Sequence, residues 1–302
     1  MANTLSRVRA VVLHEKGGPD VLSLEEVPEP KPAPDEALIR VEAAGVNHID
    51  LTWRAGGGIE LPAILGLDAG GRRERTGERV LVTGSRGTYA ELVAAKEDNV
   101  FDIPDELETT TAAALGVPYK TAWWSLVDMG GLKEGHTVLV QGAASATGQA
   151  CIEIARAAGA KVYATTRKEK LEQVQELGVE ALEYGDASLR NLKANIVYDP
   201  VGAETFTDSV EALGREGVVV TPGAVGGAVV TFNVWSLLGK RARIQGVGSA
   251  QASRQTMEVL IGMAAGGKIR PAIDRVLPLE QAADAHRAIE ARETFGKVLL
   301  RP

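Results

Sequence analysis

Between Thr137 and Ser249 strand-length apolar segments alternate with helical ones, and this alternation constrains the fold more than any other feature of the chain. The strand candidates read TVLVQG (137–142), KVYATT (161–166), EALEY (180–184), NIVYDPVG (195–202), GVVVTPG (217–223) and ARIQGVGS (242–249). Helical stretches GQACIEIARAAG, KEKLEQVQELG and AETFTDSVEALG lie between most of them. Strands joined through helices pack as a parallel sheet covered on both faces. Right-handed crossovers then make the fold α/β, a doubly wound sheet of six predicted strands.

The first of these strands runs into Gly142-Ala143-Ala144-Ser145-Ala146-Thr147-Gly148, and a helix follows at once. A strand, a glycine-rich turn and a helix N-terminus offer backbone N–H groups and a positive dipole end to a pyrophosphate. The spacing is G-x-x-S-x-x-G instead of G-x-G-x-x-G. With serine in the middle, the loop is either wider or uses the Ser145 hydroxyl as a phosphate donor. Gly142, Ala144, Ser145, Ala146, Thr147 and Gly148 are therefore the predicted cofactor loop.

The end of the second strand distinguishes the two nicotinamide dinucleotides. A site for NAD carries Asp or Glu there, to hold the ribose 2′-hydroxyl. This chain has Thr166, followed by Arg167, Lys168, Glu169 and Lys170. A 2′-phosphate is attracted by cations and repelled by a carboxylate. The other reading makes Arg167 and Lys170 solvated residues of a helix's first turn, where cations are mildly unfavourable. NADPH is the predicted cofactor.

The flanks differ in character. Residues 1 to about 115 hold short strands broken by Gly and Pro turns, the pattern of a small, partly open barrel; ERVLVTG and GTYAELVAAKE read as a hairpin. TTTAAALGVPYKTAWWSLVDMG is helical in composition and broken by Pro118. After the alternating region come two amphipathic helices, SRQTMEVLIGMAAGG and LEQAADAHRAIEAR, and a closing strand, GKVLLRP. The predicted division is 1–117 plus 253–302 for the first domain and 118–252 for the nucleotide domain inserted into it.

Composition excludes several classes. The net charge is -7 and no basic cluster overrides it, which argues against nucleic acid as a partner. The one cysteine, Cys151, allows no internal disulfide and no cysteine-rich zinc site. No stretch resembles a secretory leader or a membrane span, so the expected setting is the cytoplasm, with no membrane partner.

Taken together, AAGVNHIDLTWRAGG, LPAILGLDAGG, GTYAELVA, IPDELETTTAAALGVPYKTAW, VLVQGAASATGQA, ARAAGAKVYATTRKEKLE, VYDPVGAETF and FGKVLL resemble the zinc-free quinone oxidoreductase (zeta-crystallin-like) branch of the medium-chain dehydrogenase/reductase superfamily. The resemblance spans nearly the whole chain. It implies a Rossmann domain inserted into a GroES-like substrate domain, an active site between the two, and a homodimer joined around Ile244–Ser249. It implies that Lys170 and Tyr184 contact the adenosine phosphate and that Gly223 and Ala224 line the nicotinamide. Val247 and Gly248, within the last predicted strand, belong to the same predicted set. The implied activity is hydride transfer from NADPH to a quinone or a related electrophilic carbonyl or alkene. An enone or enoyl-thioester reductase, or a non-catalytic NADPH-binding protein, are the alternatives.

The departures from the wider superfamily are as informative. Zinc alcohol dehydrogenases carry GxCHxD and GHE motifs; here the first reads Gly45-Val46-Asn47-His48-Ile49-Asp50, and Leu67 stands for the histidine of the second. No metal is predicted, and without a Lewis acid an alkoxide is hard to stabilise, so alcohol oxidation is not expected. Asn47 is the candidate donor to a substrate carbonyl. Arg54 and Thr121 match cleft positions of the family, and Arg54 reads equally well as an ordinary bridging residue. His48 reads as a general acid or as a structural partner of Asp50, with the structural role preferred. Trp123, Trp124 and Trp235 read as pocket walls or, more commonly for aromatics, as core.

Overall fold

The computed structural model describes residues 6–302. It divides into two compact units, one taking in the chain up to Val117 together with Arg254–Pro302, the other Pro118–Ser253.

The first unit opens with strands β1 (Arg7–Leu13), β2 (Leu22–Pro28) and β3 (Glu36–Val46), helix α1 (His48–Ala55), then β4 (Ala63–Ile64), β5 (Asp68–Arg73), β6 (Arg79–Thr83), β7 (Leu92–Lys96) and β8 (Val100–Asp102). In β3, Ile39 and Val41 are buried while Arg40 between them is exposed, the period-two signature of a half-covered strand. From Ala43 to Val46 every side is buried, because the strand passes into the core. One sheet has the order β2-β1-β4. The predicted barrel takes the form of two sheets linked by an isolated bridge between Ala10 and Ala90.

The expected hairpin is not formed. β6 pairs with β5 and β8, while β7 pairs with the first half of β3. Both segments are strands, and β7 sets Val93 and Ala95 opposite Ile39 and Ala37 of β3.

Helix α2 (Thr109–Trp123) crosses the division between the units and continues through Pro118, where the sequence suggested a break. Proline has no N–H to give, and the N–H before it, on Val117, is taken by the Asp68 carboxylate at 2.9 Å.

The second unit runs β9 (Thr137–Val140), α3 (Ala146–Ala157), β10 (Lys161–Thr166), α4 (Leu171–Gln175), β11 (Glu180–Glu183), β12 (Ala194–Tyr198), α5 (Phe206–Ala212), β13 (Leu213–Thr221), α6 (Val234–Lys240) and β14 (Arg243–Gly246). Its six strands lie in the order β11-β10-β9-β12-β13-β14, and every neighbouring pair is parallel. The chain builds outward from β9 to one edge, then crosses back and builds toward the other. The reversal falls between β9 and β12, and a ligand crevice is expected beyond the strand ends there. Val138, Leu139, Ile196, Val197, Val219 and Val220 are fully buried, as the continuous apolar strands required.

The chain then completes the first unit with α7 (Arg254–Ala265), β15 (Ile273–Pro278), α8 (Ala282–Glu290) and β16 (Lys297–Arg301). β16 pairs antiparallel with β3, Val298 facing Val46, which makes the sheet order β15-β16-β3-β5-β6-β8. That pairing carries Lys297 into the interior, where it is 2% exposed.

Candidate active site and cofactor edge

The predicted phosphate loop leaves β9 through Gly142, whose φ of +74° suits glycine. Ser145 caps α3: its hydroxyl accepts from the Gly148 N–H at 3.0 Å and donates to the Gly142 carbonyl at 2.9 Å. Of the two readings of the serine, a wider loop or a phosphate donor, this geometry favours neither a free hydroxyl nor an open turn: the hydrogen closes the loop on itself. The N–H groups of Ala146 and Thr147, the first two positions of α3, have no helical carbonyl to bond. They point to where the dipole favours an anion, and these residues and Ala144 are only half-buried. A Cβ on Gly148 would come within 3.0 Å of the Ala143 Cα, so only glycine lets the helix start this close to the strand. This donor set fits a phosphate group.

The remaining cofactor candidates lie just past the ends of neighbouring strands. Thr166 ends β10 and is buried; Arg167 follows, exposed, before a single tight turn through Lys168–Lys170. Tyr184 follows β11 and donates its N–H to the Thr166 carbonyl at 3.2 Å. Its phenol oxygen would be 3.9 Å from a Cβ on Gly142, so it hangs beside the phosphate loop. Gly223 and Ala224 follow β13, where the Thr221 hydroxyl donates to the Gly223 carbonyl at 2.8 Å. Val247, buried, and Gly248, exposed, follow β14, and the Val247 N–H bonds the Thr221 carbonyl at 2.8 Å. Parallel pairing gathers residues from 142 to 248 onto one sheet edge.

The loop after β12 was not among the predicted site residues. Pro200 and Val201 side chains lie 3.5 and 3.6 Å from where a Gly142 Cβ would be. The Asp199-Pro-Val-Gly run was the available signal, because it follows a strand at the reversal of the sheet.

In the first unit the segment Gly45–Asp50 sits in a buried polar network. Asn47 Nδ2 donates to Asp68 Oδ1 at 2.7 Å and to the Gly45 carbonyl at 3.3 Å, while Asn47 Oδ1 accepts from Lys297 Nζ at 2.5 Å. Lys297 Nζ also meets Asp68 Oδ2 at 3.1 Å. Both amide hydrogens of Asn47, the candidate donor to a substrate carbonyl, are engaged inside the protein. The cluster is closely built. A Cβ on Gly45 would lie 2.7 Å from Lys297 Cε, and one on Gly116 2.5 Å from Asp68 Cβ. Sequence reasoning missed Lys297 and Asp68, which are remote from each other in the chain and are joined only by sheet pairing.

Arg54 is held internally as well. It is 1% exposed, with Nε on His286 Nδ1 at 3.2 Å, Nη1 on the Gly17 carbonyl, and Nη2 on Glu290. All three bonds stay within the first unit, so the guanidinium is an internal tie. An arginine cannot accept, so His286 Nδ1 must. Its Nε2 then carries the hydrogen toward the Tyr89 hydroxyl, 3.3 Å away, and Tyr89 donates to Asp50 Oδ2 at 3.2 Å. Asp50 also accepts from the N–H groups of Asn47 (2.8 Å) and Gly66 (3.0 Å). One directed chain therefore runs from Arg54 to Asp50. Burial, then the neighbouring Arg54 charge, push His286 down to about 3. Burial pushes Asp50 up to about 7, with Asp68 adding to the rise and the backbone N–H groups opposing it. His48 is exposed at the start of α1, and the oxygens of Asp50 are filled by other donors, so the preferred structural pairing is not formed.

Thr121 lies on α2 in the second unit, half-buried, and its hydroxyl takes no hydrogen bond among the described residues. Asn47 and Arg54 belong to adjoining networks that meet at Asp50. Trp123 and Trp124 are half-buried, but Trp235 is 77% exposed on α6, neither core nor wall of its own unit. Among the described residues no group of three or more His, Cys, Asp or Glu side chains is placed to hold a metal ion, and no helix is long and apolar enough to cross a membrane.

A parallel sheet of this order, with a glycine turn and helix N-terminus at its centre, defines a dinucleotide-binding protein. The comparisons narrow the class. The alcohol dehydrogenase GroES-like domain model matches residues 33–105, and the zinc-binding dehydrogenase model matches 177–300. Quinone oxidoreductase of Lama guanicoe is 32% identical, with 99% of each chain covered, and that of Sus scrofa 30%, again with 99% of each covered. A mycobacterial quinone oxidoreductase structure has a TM-score of 0.87 at 29% identity, covering 98% of this chain and 100% of its own. A mycobacterial protein solved with NADPH has a TM-score of 0.88 at 28% identity, with the same coverage. The chain belongs to the quinone oxidoreductase branch of the medium-chain dehydrogenase/reductase superfamily, and it is an oxidoreductase.

Proposed function

We propose that the chain is an NADPH-dependent oxidoreductase that delivers hydride to a quinone, or to a related electrophilic carbonyl or alkene, without a metal. The observation that carries this reading is the chemistry of the strand ends. The phosphate loop offers free N–H groups, and the next strand ends without a carboxylate but with Arg167, Lys168 and Lys170 following it. Gly142–Gly148 would hold the pyrophosphate, Thr166, Arg167, Lys170 and Tyr184 the adenosine end, and Gly223, Ala224, Val247 and Gly248 the nicotinamide end. The bound dihydronicotinamide supplies the hydride; the protein's residues bind, orient and exclude water.

The metal-free part rests on residue chemistry. Asn47 and Leu67 stand where the zinc-dependent motifs need a thiolate and an imidazole. A buried ammonium, Lys297, bonds both Asn47 and Asp68, and its charge repels a second cation. With Asn47 and Arg54 engaged internally, Thr121 remains as the candidate to touch the acceptor.

Further support concerns assembly. β14 is an edge strand, and Ile244 on it, with Val234, Trp235 and Leu238 on α6, is exposed. An unpaired strand edge beside apolar surface suits antiparallel pairing with a second copy, which would make a homodimer. The single, buried cysteine is in keeping with a cytoplasmic setting.

The test follows nucleotide absorbance with a panel of small quinones, enals and a crotonyl thioester. NADH is the control arm, since one structure with a TM-score of 0.91 at 31% identity, covering 97% of this chain and 99% of its own, is described as an NAD-dependent alcohol dehydrogenase. Arg167→Ala with Lys170→Ala should raise the NADPH KM about tenfold or more and leave that for NADH within about twofold, as the loss of charge-assisted phosphate bonds requires. Equal effects on both nucleotides, or turnover that depends on added zinc, would overturn the reading.

A further inference from the structure

Asp199 is fully buried at the end of β12, and the described bonds to it all come from neutral donors. Oδ1 accepts from the N–H groups of Val201 (2.9 Å) and Gly202 (3.1 Å), the Thr205 hydroxyl lies 2.9 Å from both oxygens, and Oδ2 accepts from the Ser209 hydroxyl at 2.6 Å. A carboxylate accepts only, so the Ser209 hydrogen must point to it. The Ser209 oxygen is then left to accept, and it does so from Gln141 Nε2 at 3.0 Å. That fixes the amide with Oε1 toward Thr165, whose hydroxyl donates to it. One buried carboxylate thus sets the direction of every bond along Thr165, Gln141, Ser209 and Asp199.

The relay joins the strand ends that carry the cofactor candidates. Thr165 on β10 immediately precedes Thr166, after which Arg167 follows the strand, and Gln141 immediately precedes Gly142. Asp199 shapes the loop whose Pro200 and Val201 carbonyls accept the N–H groups of Val225 and Gly226, just past Gly223 and Ala224. Four loops from four neighbouring strands are held at one mutual setting, although none of the four relay side chains lies in the predicted set.

We infer that Thr165, Gln141, Ser209 and Asp199 are positioning residues that set the loop bearing Arg167 against the phosphate loop, and so govern discrimination between dinucleotides with and without a 2′-phosphate. The inference rests on the dinucleotide reading above. A dinucleotide spans these loops as one semi-rigid body, so a displacement of the loop that bears Arg167 shifts the partner of the 2′-phosphate while the phosphate loop still fixes the pyrophosphate. A 2′-phosphate contact loses more than a 2′-hydroxyl contact when its partner shifts, because charge-assisted bonds are the stronger ones.

The experiment is equilibrium titration of the full chain with NADPH and with NADH, read by nucleotide fluorescence. Thr165→Val should weaken NADPH about tenfold and NADH about twofold, the scale of one lost buried hydrogen bond. Ser209→Ala should reproduce that ratio from the other end of the relay, and Thr165→Ser, which restores the hydroxyl, should return both affinities to within about twofold of the parent. Equal factors for the two nucleotides, losses that follow the fall in Tm, or no rescue by Thr165→Ser would overturn the relay. Should Thr165→Val fail to fold, Ser209→Ala decides by the same ratio. If the parent titrates with neither nucleotide, the dinucleotide reading falls and the relay with it.

Discussion

The two units bury polarity in opposite ways. The first encloses full charges, with Lys297 against Asp68, Arg54 on Glu290, and Asp50 at the end of a chain that begins at Arg54. The second encloses one carboxylate, Asp199, and satisfies it with hydroxyl and backbone donors. The difference follows from what each interior must hold in place. The second unit needs strand ends set by short, directional bonds around a ligand edge. The first closes a split sheet by drawing β16 against β3, and the ammonium of Lys297 fills the centre of a network built from the residues that match metal-binding motifs elsewhere in the superfamily. Removing one member of a buried ion pair strands a charge, whereas neutral donors leave only an unmet acceptor.

That contrast can be broken at several points. Lys297→Met should have the largest effect on stability, about 3–5 kcal/mol in a denaturant melt, because Asp68 is left buried without its cation. Adding Asp68→Asn to it should recover part of the loss; no recovery would mean that the pair is not the source. Gly148→Val should weaken NADPH binding on the order of a hundredfold by pushing α3 from β9, yet leave hydrogen exchange of β3 and β16 amides unchanged. Loss of protection there would show that the two interiors are not separable.

The most gradual effect, spread over several pH units, concerns protonation. His286 has its folded value depressed to about 3 from 6.5, so its contribution to stability is full above 6.5 and is lost as pH falls toward 3. Asp50 has its value raised to about 7 from 3.8, so its contribution is full below 3.8 and is lost as pH rises through 7. Between 3.8 and 6.5 the two slopes oppose each other. His286→Gln should remove one of them, and the variant's stability relative to the parent should fall with rising pH by up to about 1.4 kcal/mol per unit. A difference profile that is flat across that window would show that the chain of bonds is not the titrating element.

The sheet of the second unit was legible because apolar strands and helices alternate along it, and a parallel crossover leaves little choice of topology. The turn between β9 and α3 was legible from glycine spacing, and the missing carboxylate after Thr166 from a single position. The first unit was less so. Its strands were visible, but ERVLVTG and GTYAELVAAKE were paired wrongly, since strand partners there are chosen by apolar faces remote in the chain.

The amino-acid sequence by itself determined the fold class and the family, because each depends on local periodicity or on contiguous motifs. Only the tertiary structure decided which partners Asn47, Arg54 and Ser145 have. Each has donors enough for a ligand, and whether those donors are available depends on Lys297, Asp68, His286, Glu290 and Gly142. With the exception of Gly142, these partners lie tens to hundreds of residues away, and no spacing rule reaches them. A side chain's chemistry is written in its identity, but the occupancy of its hydrogen bonds is a property of the packed interior.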